Sequence, residues 1–278
     1  MSLCIAWVRK TGQTEEVCVV SDSCVTGNQR FLAMPKLFPL KRGDCVIACA
    51  GDTTYSFPIV EHIVRLVEIN KKLNDRALDL SDFIHTIVDM SNKVLHEETE
   101  KQSYLGGPNF SMIVAGYSWK LHKPILKEIK YCKKRHLMVT VTQKTIKKVP
   151  VAVIGDNVKN IRKDIYDYLE RDGVSDSGFV DFQPLEVLLN YINDPDIREI
   201  GGYPQMCKVY PFLKVLPWGF VQKKDNEQII SYLGRPILHY ETLTCPIYDI
   251  ENKRVLYMKV NNNYFKLYHE EPPKLTVF

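Results

Sequence analysis

Long apolar runs are missing from this 278-residue chain, and no segment approaches the roughly 18 consecutive apolar residues of a membrane-spanning helix. Strong charge of either sign is missing as well. A net charge of +4 spread over this length is too mild to imply nucleic acid or an anionic membrane as partner. None of the eight cysteines forms a Cys-x-x-Cys pair, so zinc-ribbon and thioredoxin-like readings have no support. The chain has no Gly-x-x-x-x-Gly-Lys-[Ser/Thr] phosphate loop, no Gly-x-Ser-x-Gly elbow and no His-Glu-x-x-His. Its seven histidines are scattered without ligand spacing, and His96-Glu97-Glu98 reads as the exposed last turn of a helix. No metal and no cofactor is therefore expected.

What is present is an ordinary globular composition, 45% apolar and 25% charged. The length suits one large domain or two small ones. Several cysteines sit in apolar runs, as in Cys45-Val-Ile-Ala-Cys49, where a free thiol behaves as a small hydrophobe. The stretch Met1–Arg9 is too short for a signal h-region and has no basic n-region. Reduced thiols in a cytoplasmic protein are the expectation.

Residues 3–9 and Glu16–Val20 read as two strands of an N-terminal hairpin, and Lys36–Phe38 and Asp44–Cys49 as two more. The period then changes. Ile59, Val60, Ile63, Val64, Leu66 and Val67 fall at helical spacing between Thr53 and Asn70. A second helix is predicted over Ser81–Glu98, with Ser81 as its N-cap. Strands return at Asn109–Gly116, Pro124–Tyr131, Leu137–Val141 and Val149–Ile154. Helices follow over Val158–Arg171 and Pro184–Asn193, then strands at Cys207–Tyr210 and Leu216–Val221. The last stretch reads as β-rich, with strands at Ile229–Leu233, Arg254–Val260 and Tyr264–Tyr268. The basic run Lys130–His136 reads as a solvated loop and is given no function.

The chemistry that remains is at the N-terminus. Removal of Met1 before the small residue Ser2 would expose an α-amine, whose ordinary pKa of about 7.7–8.0 lets it accept a proton near neutrality. Ser2 would then carry both a hydroxyl nucleophile and its base. Asp22 ends the strand that pairs with the one starting at Ser2, Lys36 leads into the third strand, and the fourth ends in Ala50-Gly51. A buried Asp–Lys pair beside the nucleophile would lower the amine pKa, and backbone N–H groups at the Gly51 turn would form an oxyanion hole. A further nucleophile is Cys4, after loss of three residues.

In these features the chain resembles the N-terminal nucleophile (Ntn) hydrolases of the proteasome β-subunit superfamily, and within it the bacterial branch called Anbu. The matching segments are Met1-Ser-Leu-Cys4, Ser21-Asp22-Ser23, Lys36, Ala50-Gly51, Val153-Ile-Gly155-Asp156 and Gly201–Tyr210, in order over roughly residues 2–215. The resemblance implies an α+β fold, a four-layer αββα sandwich of two stacked antiparallel sheets between helix pairs. It implies an Ntn domain over 1–217 with a β-rich C-terminal extension over 218–278. It implies an amide-bond hydrolase, a serine/threonine-type endopeptidase acting on peptides or proteins. Ser2 would be the nucleophile, Asp22 and Lys36 would tune its amine, and Gly51 would supply the oxyanion N–H. Val25 and Cys49 would border the substrate pocket, with Ser23 and Asp156 behind the site. Self-assembly into a ring or spiral is implied too, with an unfoldase or other partner conceivable. Departures are Ser2 where most relatives have Thr, Asp156 where Ser is frequent, and Ile197 and Ile200 where typical β-subunits have Asp and Ser. These departures fit the alternative, a catalytically inactive scaffold subunit.

Overall fold

The computed structural model describes residues 2–11, 14–27, 29–97, 108–174, 180–224, 227–261 and 264–268. The chain opens with β1 (Leu3–Thr11), β2 (Thr14–Ser21) and a short ribbon of β3 (Val25–Thr26) and β4 (Arg30–Phe31), then β5 (Leu37–Pro39) and β6 (Cys45–Gly51). Helices α1 (Thr53–Ile69), α2 (Lys71–Asn74) and α3 (Leu80–His96) follow. Next come β7 (Phe110–Ser118), β8 (Lys123–Cys132), β9 (Leu137–Thr140), β10 (Thr145–Ile146) and β11 (Val149–Gly155). After α4 (Val158–Arg171) and α5 (Gln183–Asn193) the chain returns to strands β12 (Gln205–Tyr210), β13 (Lys214–Lys224), β14 (Glu227–Tyr232), β15 (Arg235–Pro236), β16 (Ile247–Asp249), β17 (Arg254–Asn261) and β18 (Tyr264–Tyr268).

The fold is mixed α+β with mostly antiparallel sheets and, among the described residues, five helices. The larger sheet runs β10-β11-β1-β2-β12-β13-β16-β17-β18, with β14 and β15 joined to β13. A second sheet runs β5-β6-β7-β8-β9. The pairing of β13 with β16 is parallel. The N-terminal hairpin forms as expected, with Cys4 opposite Ser21 and Arg9 opposite Glu16. β13 runs straight through residues 217 and 218, so the following strands continue the larger sheet.

Strand alternation sorts the core. Leu3, Ile5, Trp7, Cys18 and Val20 face one way and pack with Ile161, Ile165 and Leu169 of α4 and Leu185 and Leu188 of α5. Their neighbours Cys4, Ala6, Val17 and Val19 face the other way, onto Val46, Ala48, Ile113 and Ala115 of the second sheet. Alanine, valine and cysteine dominate this contact, so the two sheets approach closely. The far face of the second sheet carries Cys45, Ile47, Met112 and Val114 against Ile59 and Ile63 of α1 and Phe83 and Ile87 of α3.

The helices begin where local chemistry satisfies their free N–H groups. Asp52 caps α1 through Thr54 N–H. The cap of α3 is Asp79 rather than Ser81: its carboxylate accepts from both the Ser81 N–H and the Ser81 hydroxyl, which places Ser81 inside the first turn. The short pieces β3, β4, α2, β10, β15 and β16 have too few residues to show a period, and pattern reading passes over them. Glu98, the expected last residue of the second helix, lies outside the described residues.

Candidate active site

The residues singled out near the N-terminus meet at one end of the two sheets. Register does this: β1 begins beside Gly155 at the end of β11 and beside Ser21 at the end of β2. Ser2 is 3% exposed. Its N–H donates to Asp156 Oδ2 at 2.7 Å, and its carbonyl accepts from Asp156 N–H at 2.9 Å. Gly155 is required here. Its φ is +113°, and a Cβ at this position would fall onto the Ser2 carbonyl.

Asp22 is wholly buried and accepts four hydrogen bonds. Oδ1 takes Leu3 N–H at 2.9 Å and Lys36 Nζ at 2.7 Å, and Oδ2 takes Cys24 N–H at 2.9 Å and Gly201 N–H at 3.2 Å. Lys36 is 2% exposed and donates a second bond to the Cys24 carbonyl at 2.5 Å. This is a buried ion pair with its polar atoms satisfied, the condition under which such a pair survives burial. It stands one residue from Ser2, because the same Asp22 oxygen that receives the lysine also holds the Leu3 amide.

Gly51 closes the other side. Its φ of +109° and the Asn109 carbonyl lying where a Cβ would go exclude any side chain. Cys49 N–H donates to Lys36 C=O at 3.1 Å. Strand alternation then turns Gly51 N–H to the same side of β6, the side of β5, beyond the last β5–β6 pair of Leu37 with Ala48.

The other anticipated residues are less central. Val25 is half-buried in the ribbon that follows Cys24. Cys49 is 3% exposed and belongs to the core against α1 and α3. Burial pushes its thiol up to about 12, against the opposing pull of Lys36. Ser23 is a scaffold group: its hydroxyl donates to Leu32 C=O at 2.7 Å and accepts from Tyr203 N–H at 2.7 Å. Cys4 lies wholly buried between the sheets. Burial drives its thiol far above the ordinary value, and its Sγ donates to the Cys49 carbonyl at 3.3 Å. As placed, Cys4 is a core side chain. Burial also raises the Asp156 carboxyl, outweighing the Ser2 N–H bond that lowers it, and Glu199 and Asp22 push in the same direction as burial.

Two groups escaped sequence reasoning. Gln205, wholly buried, accepts from Lys36 N–H at 3.0 Å and donates to the carbonyls of Asp22 at 2.8 Å and Met34 at 2.9 Å. It ties both members of the ion pair to β12. Behind it, the Leu233-Gly234 turn between β14 and β15 presses Gly234 onto Ser23 and Gln205. A single glutamine carries no chemical signature in a sequence, and the Gly234 contact exists only because β14 extends in line with β12 along β13.

Among the described residues no cluster of His, Cys, Asp and Glu is arranged to hold a metal ion, and no helix is long and apolar enough to cross a membrane. All eight cysteines are free thiols. Comparison with protein-family models gives no match, and comparison with curated proteins finds no relative.

Proposed function

We propose that the chain is an Ntn-type amide-bond hydrolase of the proteasome β kind, with Ser2 as nucleophile once Met1 is removed. The observation that carries this reading is the buried Asp22 carboxylate, which holds Lys36 Nζ and the Leu3 amide on one oxygen, one residue from Ser2. Two sheets packed face to face, with α4 and α5 on one outer side and α1 and α3 on the other, fit the four-layer αββα sandwich of that family.

The chemistry runs as follows. The α-amine takes the Ser2 hydroxyl proton as Oγ attacks the substrate carbonyl carbon. The Lys36 cation works against protonation of that amine, while the Asp156 carboxylate beside the Ser2 nitrogen works for it and orients it. Gly51 N–H stabilises the oxyanion. The amine then passes its proton to the departing nitrogen, leaving an acyl ester on Ser2. Water, deprotonated by the same amine, hydrolyses that ester and restores the hydroxyl. Every step uses a hydroxyl, an amine and water.

Two measurements test it. Intact mass of the native protein reports loss of Met1. A β-lactone acylating agent should modify Ser2 and leave a Ser2→Ala variant unmodified, and equal modification of both overturns the proposal. The deep burial of Ser2 and the presence of Ile197 and Ile200 favour one second reading, an inactive scaffold subunit. Retention of Met1 selects it.

A further inference from the structure

The chain's charge is strongly segregated. Lys123–Lys163 holds twelve lysines and arginines against two acids, although the whole chain is only net +4. Part of this charge sits at the Ser2 end. Gly51 pairs with Phe110, and the next residue of β7, Ser111, pairs with Lys130. β8 therefore ends at Cys132 two strands over from Gly51, at the same end of the sheet. Across the sheets, Val153 N–H donates to Glu128 Oε1 at 3.4 Å, which aligns β8 with β11, the strand whose end holds Ser2.

The β8–β9 turn follows directly. Arg135 N–H closes it onto Cys132 C=O at 3.1 Å, and His136 adopts φ +51°. The turn therefore has a defined backbone. Lys133, Lys134 and Arg135 are exposed and form no ion pair among the described residues, whereas Lys130 is paired with Glu128 at 3.1 Å. Lys159, exposed in the first turn of α4, adds a cation from the other sheet's side, and that turn holds no acid. Beside Ser2 stands a carboxylate pair, Asp156 and Glu199, each within electrostatic reach of the other, whereas the Asp22 charge is balanced by Lys36.

From this arrangement we infer that the substrate is an acidic polypeptide, with its carboxylates set back from the cleaved bond; this rests on the hydrolase reading above. Acids next to the scissile bond meet Asp156 and Glu199, while those farther along meet the basic turn. Sheets stack about 10 Å apart and strands lie about 4.8 Å apart, so the turn stands some 10–15 Å from Ser2. An extended chain covers that in about three to five residues.

Binding is measured on the Ser2→Ala variant with fluorescent peptides, by anisotropy at low and physiological salt. One peptide carries a Glu-Asp cluster four residues from a photo-crosslinking residue, and its control carries Gln-Asn instead. The acidic peptide should bind about tenfold or more tighter at low salt, with the preference shrinking as salt rises. A Lys133→Gln, Lys134→Gln, Arg135→Gln variant should erase the preference. Crosslinks should map to the ends of β1, β6 or β11. Equal binding of the two peptides, an unchanged preference in the triple variant, or crosslinks elsewhere overturn the inference. So does tighter binding of a single-stranded RNA oligonucleotide through the same three residues. The hydrolase reading fails separately, when the β-lactone leaves Ser2 of the parent protein unmodified.

Discussion

Replacing Asp22 with asparagine removes a charge and almost no volume, yet the structure has no place for the amide. Four donors converge on the carboxylate, two per oxygen. With its nitrogen at the Oδ2 position, asparagine faces the Cys24 and Gly201 N–H groups. Flipped, it faces Lys36 Nζ and the Leu3 N–H. Either way two buried donors meet a third donor, and Lys36 keeps a buried charge without a counter-ion. Breaking a buried ion pair by neutralising one partner costs about 3–5 kcal/mol, and each stranded donor adds about 1–3 kcal/mol. Partial relaxation keeps the sum below full additivity, so a loss of about 4 kcal/mol is expected. That is a large share of the roughly 5–15 kcal/mol that holds a typical domain together. Urea unfolding at pH 7, followed by fluorescence of the buried Trp7 and Trp218, measures the loss. Lys36→Met should cost less, about 3 kcal/mol, because Asp22 keeps three backbone donors. The double variant should be less destabilised than the sum of the two, since removing the cation removes the unpaired charge. A loss below about 1 kcal/mol for Asp22→Asn, or strict additivity in the cycle, refutes the four-donor account.

Three further outcomes follow from other parts of the molecule. Burial pushes the Asp79 carboxyl up, but bonds from the Ser81 hydroxyl and N–H, Lys120 N–H and the Ser118 hydroxyl outweigh it and hold it at about 2. This depressed value contributes stability above pH 4 that is lost as pH falls toward 2, so Asp79→Ala should flatten that acid limb and cost about 2 kcal/mol at pH 7 in urea melts. The wholly buried pair of Arg42 and Asp44, with Arg42 Nη1 lacking a partner among the described residues, should show the opposite pattern to a simple cross-link. Arg42→Met alone should lose about 3–5 kcal/mol, whereas Arg42→Met with Asp44→Leu should unfold within about 1 kcal/mol of the parent or above it. Gly51→Ala places a methyl on the Asn109 carbonyl at φ +109°, so modification of Ser2 by the β-lactone should fall at least tenfold even in the fraction that remains folded by circular dichroism.

Much of the element order was legible because the main strands and helices are long enough to show their period. α4 matches its expected span of Val158–Arg171, since Ile161, Ile165 and Leu169 form a clean stripe four residues apart. Shorter elements escaped, and so did the true cap of α3, because two capping residues stand two apart and only geometry shows which one accepts. Within the candidate site, Ser2, Asp22, Lys36, Gly51 and Asp156 were each identifiable as residues with suitable chemistry at the ends of strands. Gln205 and the Gly201 N–H were not, since their roles depend on partners between 169 and 183 positions away in the chain.

The sequence by itself determined the alternation of each strand, the apolar stripe of each main helix and the order in which an alcohol, an acid, a lysine and a glycine turn arrive. These are local properties, written at periods of two and of about 3.6 residues. Only the tertiary structure decided that four donors share the Asp22 carboxylate and that the basic β8–β9 turn stands at the Ser2 end. It also decided that Cys4 is core and that the strands after residue 217 brace the site through Gly234. Each of these depends on the register between strands distant in sequence. A slip of one residue would turn every side chain of a strand to the opposite face, and only the packed whole selects the register.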